Sequence, residues 1–348
     1  MTRNDLIWPM VLVLSVASLA RSIGQDAEKI WDAAPHSAFT DLIHWNEKLY
    51  CAFRIGNGHV PRKAGDEGRI QIIASADNGK SWKDVATLDE PGIDLRDPKL
   101  SITPDGRLMI LFAGSNYDGS TLKRRDCRVV FVDSVGKSTR PEVIDFNSPL
   151  EGSFDWLWRV TWNYKTGYGV IYQPDKEQWG LHLVRTRDGV VYELVKSFDL
   201  PGKPNEATIR FREVTPTTWP FDPWDQMLIL VRNEARVGHL GQSGEEFSEW
   251  QWTDVDTRLG GPNMVRLPDG RWLMSTREYG EETRTVYGIL ADSGKFQKLG
   301  TLPSGGDTSY PGIVLTEDEA LISYYSSHEG KTAIYLARIK LDDVLKAQ

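Results

Sequence analysis

The stretch Ser75–Trp82, reading SADNGKSW, fits the pattern S-x-D-x-G-x-x-W at every fixed position and commits this part of the chain to a tight turn between two strands. Asp77 offers a carboxylate to turn amides, Gly79 accepts positive φ, and Trp82 is placed to pack on the hairpin flank. Further hairpin turns are signalled at Pro104-Asp105-Gly106, Asp188-Gly189 and Pro268-Asp269-Gly270, with degenerate echoes of the octapeptide at Thr186–Tyr192 and Asp292–Phe296. Between the turns, apolar runs such as KLYCAFRI, RLMILFAG, QMLILVR and ALISYYSS have strand length. The 13 Trp, 12 Tyr and 11 Phe, with 31 Gly and 18 Pro spread evenly, suit an all-β fold of many short strands. At roughly 40 to 50 residues per blade, 348 residues predict a single six-bladed β-propeller, a spacing that five or seven blades also fit. The one stretch with a helical period is Leu341–Ala347.

The chain begins with Arg3 followed by LIWPMVLVLSVASLA over Leu6–Ala20, with small residues Ser18 and Ala20 as a cleavage site. Residues 1–24 read as a secretory signal peptide and 25–348 as the propeller domain, which predicts a secreted or periplasmic protein. An uncleaved membrane anchor is the alternative, although about 15 apolar residues with Pro9 among them are short for a span. A formal net charge of −8 without a lysine-rich run argues against a nucleic-acid partner. Cys51 and Cys127 are the only cysteines, open to one bridge or to two buried thiols, and the six histidines show no metal-ligand spacing. No cofactor or metal is expected.

In a propeller, inner strands of all blades converge on one channel, so functional side chains come from widely separated positions. Arg54 in AFRIG, Arg232 in LILVRNE and Arg277 in LMSTREYG each bring one fixed charge to the end of an apolar strand. Taken with the octapeptide, this pattern resembles the exo-sialidases, the six-bladed propellers carrying Asp-box or BNR repeats. Phe53-Arg54-Ile55 matches their first arginine segment, with Gly56 where proline is usual; Glu206 in NEATIRF matches their glutamate, Arg232 and Arg277 the later arginines, and Tyr310 in DTSYPG the late tyrosine.

The resemblance implies a retaining exo-glycosidase that releases terminal sialic acid, or a similar acidic sugar, from glycoconjugates. Three guanidiniums would hold the sugar carboxylate by charge-assisted hydrogen bonds. That carboxylate repels an anionic nucleophile, which favours a phenol, here Tyr310, activated by Glu206. Asp66, on the loop between the first arginine and the octapeptide, is the expected general acid. Asp97 in LRDPKL competes for that role or binds sugar hydroxyls, and Glu329 is expected to orient an arginine. The expected partners are sialylated or other acidic glycans. Two alternatives stay open: a hydrolase or lyase of uronic-acid polysaccharides, and a carbohydrate-binding propeller without turnover.

Overall fold

The computed structural model describes residues 26–119, 121–147, 155–174, 178–214 and 224–347; the N-terminal stretch read as a signal peptide lies outside them. Six antiparallel sheets follow one another along the chain. Each starts at the central channel and steps outward, so the strand that enters a blade is also its innermost. Blade 1 runs His36–Trp45, Lys48–Gly56, Arg69–Ser75 and Lys83–Leu88, and blade 2 Asp94–Ile102, Leu108–Asp118, Thr121–Val132 and Glu142–Val143. Blade 3 runs Trp156–Asn163, Thr166–Gln173, Gly180–Thr186 and Val191–Phe198, with Asp145–Phe146 added in parallel outside it. Blades 4 and 5 start at Pro204–Val214 and Asn263–Arg266. Blade 6 takes three strands from Thr308 to Lys340, and its outer strand is the first among the described residues, Asp26–Trp31, paired as Ala27 with Ala337. That pairing closes the ring with backbone hydrogen bonds from both ends of the chain.

Apolar clusters fill the spaces between neighbouring sheets. Ala52, Ile70 and Ile72 meet Leu95, Leu108 and Ile110 between blades 1 and 2, while Leu228, Leu230 and Leu240 meet Met264, Trp272 and Met274 between blades 4 and 5. Alternate residues of one strand therefore serve opposite interfaces, the period-2 rule of a sheet buried on both faces. Cys51 and Cys127 are free, buried thiols within this packing. The helix Leu341–Lys346 caps blade 6 with buried Leu341 and Val344. No helix among the described residues is long and apolar enough to cross a membrane.

The octapeptide forms the outer turn of blade 1. Ser81 N and Ser81 Oγ donate to the Asp77 carboxylate at 2.9 and 2.6 Å, Gly79 N donates to Ser75 Oγ at 2.7 Å, and Trp82 Nε1 donates to Gly79 O at 3.1 Å. Gly79 has φ +81, and a Cβ there would lie 2.7 Å from Leu336 of blade 6. Only glycine satisfies both the angle and the approach.

Candidate functional site

Five of the six innermost strands share an irregularity that builds the channel mouth. Register slips between Ala38 and Asp41, Arg96 and Lys99, Leu157 and Val160, Pro204 and Ala207, and Ser309 and Gly312. Phe39, Asp97 and Tyr310 sit in these bulges at φ +62, +52 and +54, and Gly261 takes φ +57 at the entry to blade 5. A bulge re-aims one side chain out of the ladder. Here the device presents Phe39, Asp97, Trp158, Glu206 and Tyr310, from five different blades, around one point.

Tyr310 is the hub. Its hydroxyl donates to Glu206 Oε1 at 2.5 Å and accepts from Arg232 Nη1 at 3.1 Å, while the same Nη1 donates to Glu206 Oε1 at 2.7 Å. Gly261 N donates to Glu206 Oε2 at 2.8 Å, so both carboxylate oxygens are engaged. Arg277 lies 5.4 Å from the Tyr310 ring centre, with Nε donating to Thr308 O and Nη2 to Tyr325 Oη. The ring of Tyr310 is walled by Phe39 at 5.2 Å, Trp158 at 5.6 Å and Tyr325 at 5.9 Å. Lys99 stands 4.6 Å from the Trp158 ring and 5.9 Å from that of Tyr310.

Burial and charge divide the ionisable groups. Burial pushes the Tyr310 phenol well above its ordinary value and Glu206 adds to that, against Arg232 and Arg277. Burial alone would raise Glu206, but the Arg232 guanidinium and the Tyr310 hydroxyl hold its carboxyl below the usual value. Asp97 shifts the other way: burial raises it, Arg96 and Lys99 offset only part, and anionic Glu206 adds to the rise. Burial lowers the Lys99 ammonium to about 8. One carboxyl is thus biased towards the charged form and one towards the neutral form, the division an acid–base pair requires.

Of the residues singled out in the sequence, Tyr310, Glu206, Arg232 and Arg277 come together, and buried Asp97 joins them electrostatically. Arg54, Asp66 and Glu329 do not. Arg54 is 0% exposed; its Nε and Nη2 donate to Asp94 Oδ1 at 3.2 and 2.5 Å and its Nη1 to Gly58 O at 2.7 Å. A Cβ on Gly68 would fall 2.2 Å from Arg54 Nε, so the backbone itself presses on the guanidinium. Asp66 accepts from Asn57 Nδ2 at 2.9 Å and lines a separate peripheral cleft with Gly56, Glu67, Arg69 and Glu90. Glu329 is paired with Lys29 at the outer edge of blade 6.

The sequence reading missed Phe39 and Trp158. Arg96 pairs with Asp97 at 3.5 Å, lies 5.3 Å from the Phe39 ring and donates to Tyr117 Oη and His59 O. The sequence reading also missed that His36, His59 and Asp307 meet at the rim of the mouth. Asp97-Pro98, Gly261-Pro262 and Tyr310-Pro311 repeat one phrase at three blade entries, and it marks three of the positive-φ positions of the mouth but none of the missed residues.

No family model matches the chain, and no curated protein does. Solved structures do. A protein of unknown function from Dyadobacter fermentans superposes with a TM-score of 0.73 at 17% identity, over 92% of this chain and 98% of that one. The α-L-arabinanase of Penicillium chrysogenum, solved with arabinobiose, gives 0.65 at 13% over 91% and 98%. The Trypanosoma rangeli sialidase, solved with sialic acid, gives 0.63 at 10%; the match covers 93% of this chain and 60% of the sialidase. At these identities the likeness establishes the six-bladed propeller fold.

Proposed function

We propose that the protein is an exported glycosidase that cleaves a terminal acidic sugar, sialic acid or one like it, from a glycan, with Tyr310 as nucleophile. The observation that carries this is the Tyr310 hydroxyl held 2.5 Å from a Glu206 carboxylate that Arg232 keeps charged, at the mouth of the central channel. A phenol is a poor nucleophile near its ordinary pKa of about 10, so a carboxylate aligned with its proton is the arrangement nucleophilic catalysis needs. Arg232 and Arg277 flank the ring, positioned to hold a substrate carboxylate and to steady the phenolate as it forms. Asp97, biased neutral by burial, is the proposed general acid in place of Asp66.

In the first step Tyr310 Oη bonds to the anomeric carbon, its proton passes to Glu206, and Asp97 protonates the departing glycosidic oxygen as that bond breaks. In the second, water attacks the anomeric carbon, gives a proton to Asp97, and the tyrosyl oxygen leaves to recover its proton from Glu206. The likeness in fold to a sialidase and an arabinanase is compatible with glycoside chemistry; the N-terminal apolar stretch supports export.

One observation favours a second reading. Arg54 is sealed away and Phe39 occupies the blade 1 position at the mouth, leaving two arginines beside Tyr310. That smaller cationic clamp also suits a uronic acid, with the Tyr310 phenolate as proton-abstracting base of a lyase. Incubation with 4-methylumbelliferyl sialoside should release fluorophore, and Tyr310→Phe should abolish release while leaving the melting temperature near wild type. Ultraviolet absorbance growth on a uronate polysaccharide without fluorophore release establishes the lyase reading. Neither signal, with glycan binding retained, makes the protein a binding propeller.

A further inference from the structure

We propose that His36, His59 and Asp307 form a binding site for one divalent transition-metal ion of the zinc class, which clasps blade 1 to blade 6 at the rim of the channel. Asp307 Oδ2 faces both imidazoles, at 3.3 Å from His36 Nε2 and 2.9 Å from His59 Nδ1, and the three donor atoms lie within 4.8 Å of one another. Tetrahedral donors on an ion bound at about 2.0–2.2 Å stand roughly 3.3 to 3.6 Å apart, so the His36–Asp307 spacing already fits. The two spacings that involve His59 need only a movement of its side chain, which is 53% exposed.

Two imidazoles and one carboxylate are the donor set of an open, three-ligand zinc or cobalt site, with the solvent side left for water. Asp307 is already oriented as such a ligand: its other oxygen, Oδ1, accepts from Tyr325 Oη at 2.8 Å, and Tyr325 in turn accepts from Arg277. This is the outer-shell hydrogen bonding that fixes ligating carboxylates. His36 is nine-tenths buried and its Nδ1 has no partner among the described residues, so its polar contact is made entirely through Nε2.

The ligands come from distant parts of the chain. His36 opens the innermost strand of blade 1, His59 rides on the loop after Gly56, and Asp307 precedes the innermost strand of blade 6. The ring is otherwise closed at its outer edge by the strand Asp26–Trp31; an ion here adds a second closure at the inner edge. It also fixes the wall of the site, since the His59 ring packs edge-on against Phe39 at 5.1 Å and Phe39 packs on Tyr310.

The test uses the untagged full chain stripped with EDTA and dialysed free of it. Zn²⁺ titrated in a calorimeter should bind with a stoichiometry of one, and Co²⁺ should produce the visible absorption of a nitrogen- and oxygen-ligated ion. Zn²⁺ should raise the melting temperature of the wild type by several degrees, since an ion that binds only the folded state stabilises it. His59→Ala, at an exposed position that leaves the fold intact, should weaken binding at least tenfold and abolish the thermal shift; His36→Gln should do the same. Absence of saturable binding by the wild type overturns the proposal, and so does binding that His59→Ala leaves unchanged.

Discussion

Arg54 and Arg232 occupy equivalent stations, each near the end of the second strand of its blade, yet one is walled in and the other reaches the channel. The difference lies in what the innermost strand of each blade offers. Blade 4 supplies Glu206 from its bulge, so Arg232 is paired while still touching Tyr310. Blade 1 supplies Phe39 at its bulge, so Arg54 finds its carboxylate, Asp94, in the next blade and turns away from the mouth. A buried guanidinium must be neutralised somewhere, and the position of its carboxylate decides whether it remains available to a ligand.

Removing each arginine should separate the two cases, and the largest effect belongs to Arg54→Ala. Breaking this fully buried ion pair leaves the Asp94 carboxylate with only Arg96 at 3.8 Å and the Gly68 amide, at a cost of about 3 kcal/mol. Urea unfolding should show that loss, whereas Arg277→Ala, at a partly accessible site, should lose much less stability and most of its turnover. If Arg54→Ala melts like the wild type but fails to bind substrate, Arg54 reaches the ligand and the contrast collapses.

Gly261 sharpens the comparison from the side of the working site. At φ +57, with a would-be Cβ 2.7 Å from Tyr310 Cγ, the position excludes a side chain on two grounds. Gly261→Ala should cost about 1 to 3 kcal/mol for the strained backbone and displaced ring. It should also weaken the Tyr310–Glu206 contact, visible as a fall in kcat larger than any rise in KM. A variant with lower stability and unchanged kcat would mean that the ring position does not matter to the reaction.

How much of this was legible in the sequence depended on distance along the chain. The octapeptide turn closes within eight residues through its own Ser, Asp and Gly, so its letters sufficed. The Tyr310–Glu206 pair spans 104 residues and emerged only through a family resemblance. The first innermost strand, HSAFTDLIHW, escaped notice because channel-facing strands bury polar groups: Thr40 donates to Tyr310 O, and Asp41 accepts from Arg159. Without an alternating pattern it does not read as a strand, and KLYCAFRI, the next one out, took its place. Arg54 was assigned to the mouth on the Phe53-Arg54-Ile55 match, and the three letters do not show that its carboxylate, Asp94, lies in the next blade. His36, His59 and Asp307 had no spacing to betray them, with 271 and 248 residues between partners.

The two carboxyls give the last contrast, and it is read in the shape of a pH profile. Glu206 is held below its ordinary value, so its contribution to stability is present above about 4.5 and is lost as the pH falls through its lower folded value. Asp97 is raised, so its contribution is complete below its ordinary 3.8 and declines as the pH rises through the folded value. The groups facing Asp97 are Arg96, Lys99, His59 and Glu206, and burial outweighs the cations among them. If Asp97 donates the proton to the leaving group, kcat/KM falls on the alkaline side of its folded value, and Asp97→Asn removes that limb. The variant should lose about 10²-fold or more on a natural glycoside, whose alkoxide leaves poorly, and under about tenfold on the methylumbelliferyl substrate, whose phenolate leaves unaided. Equal losses on both substrates, with the limb in place and KM raised, would make Asp97 a ligand for sugar hydroxyls and pass the acid role to another group.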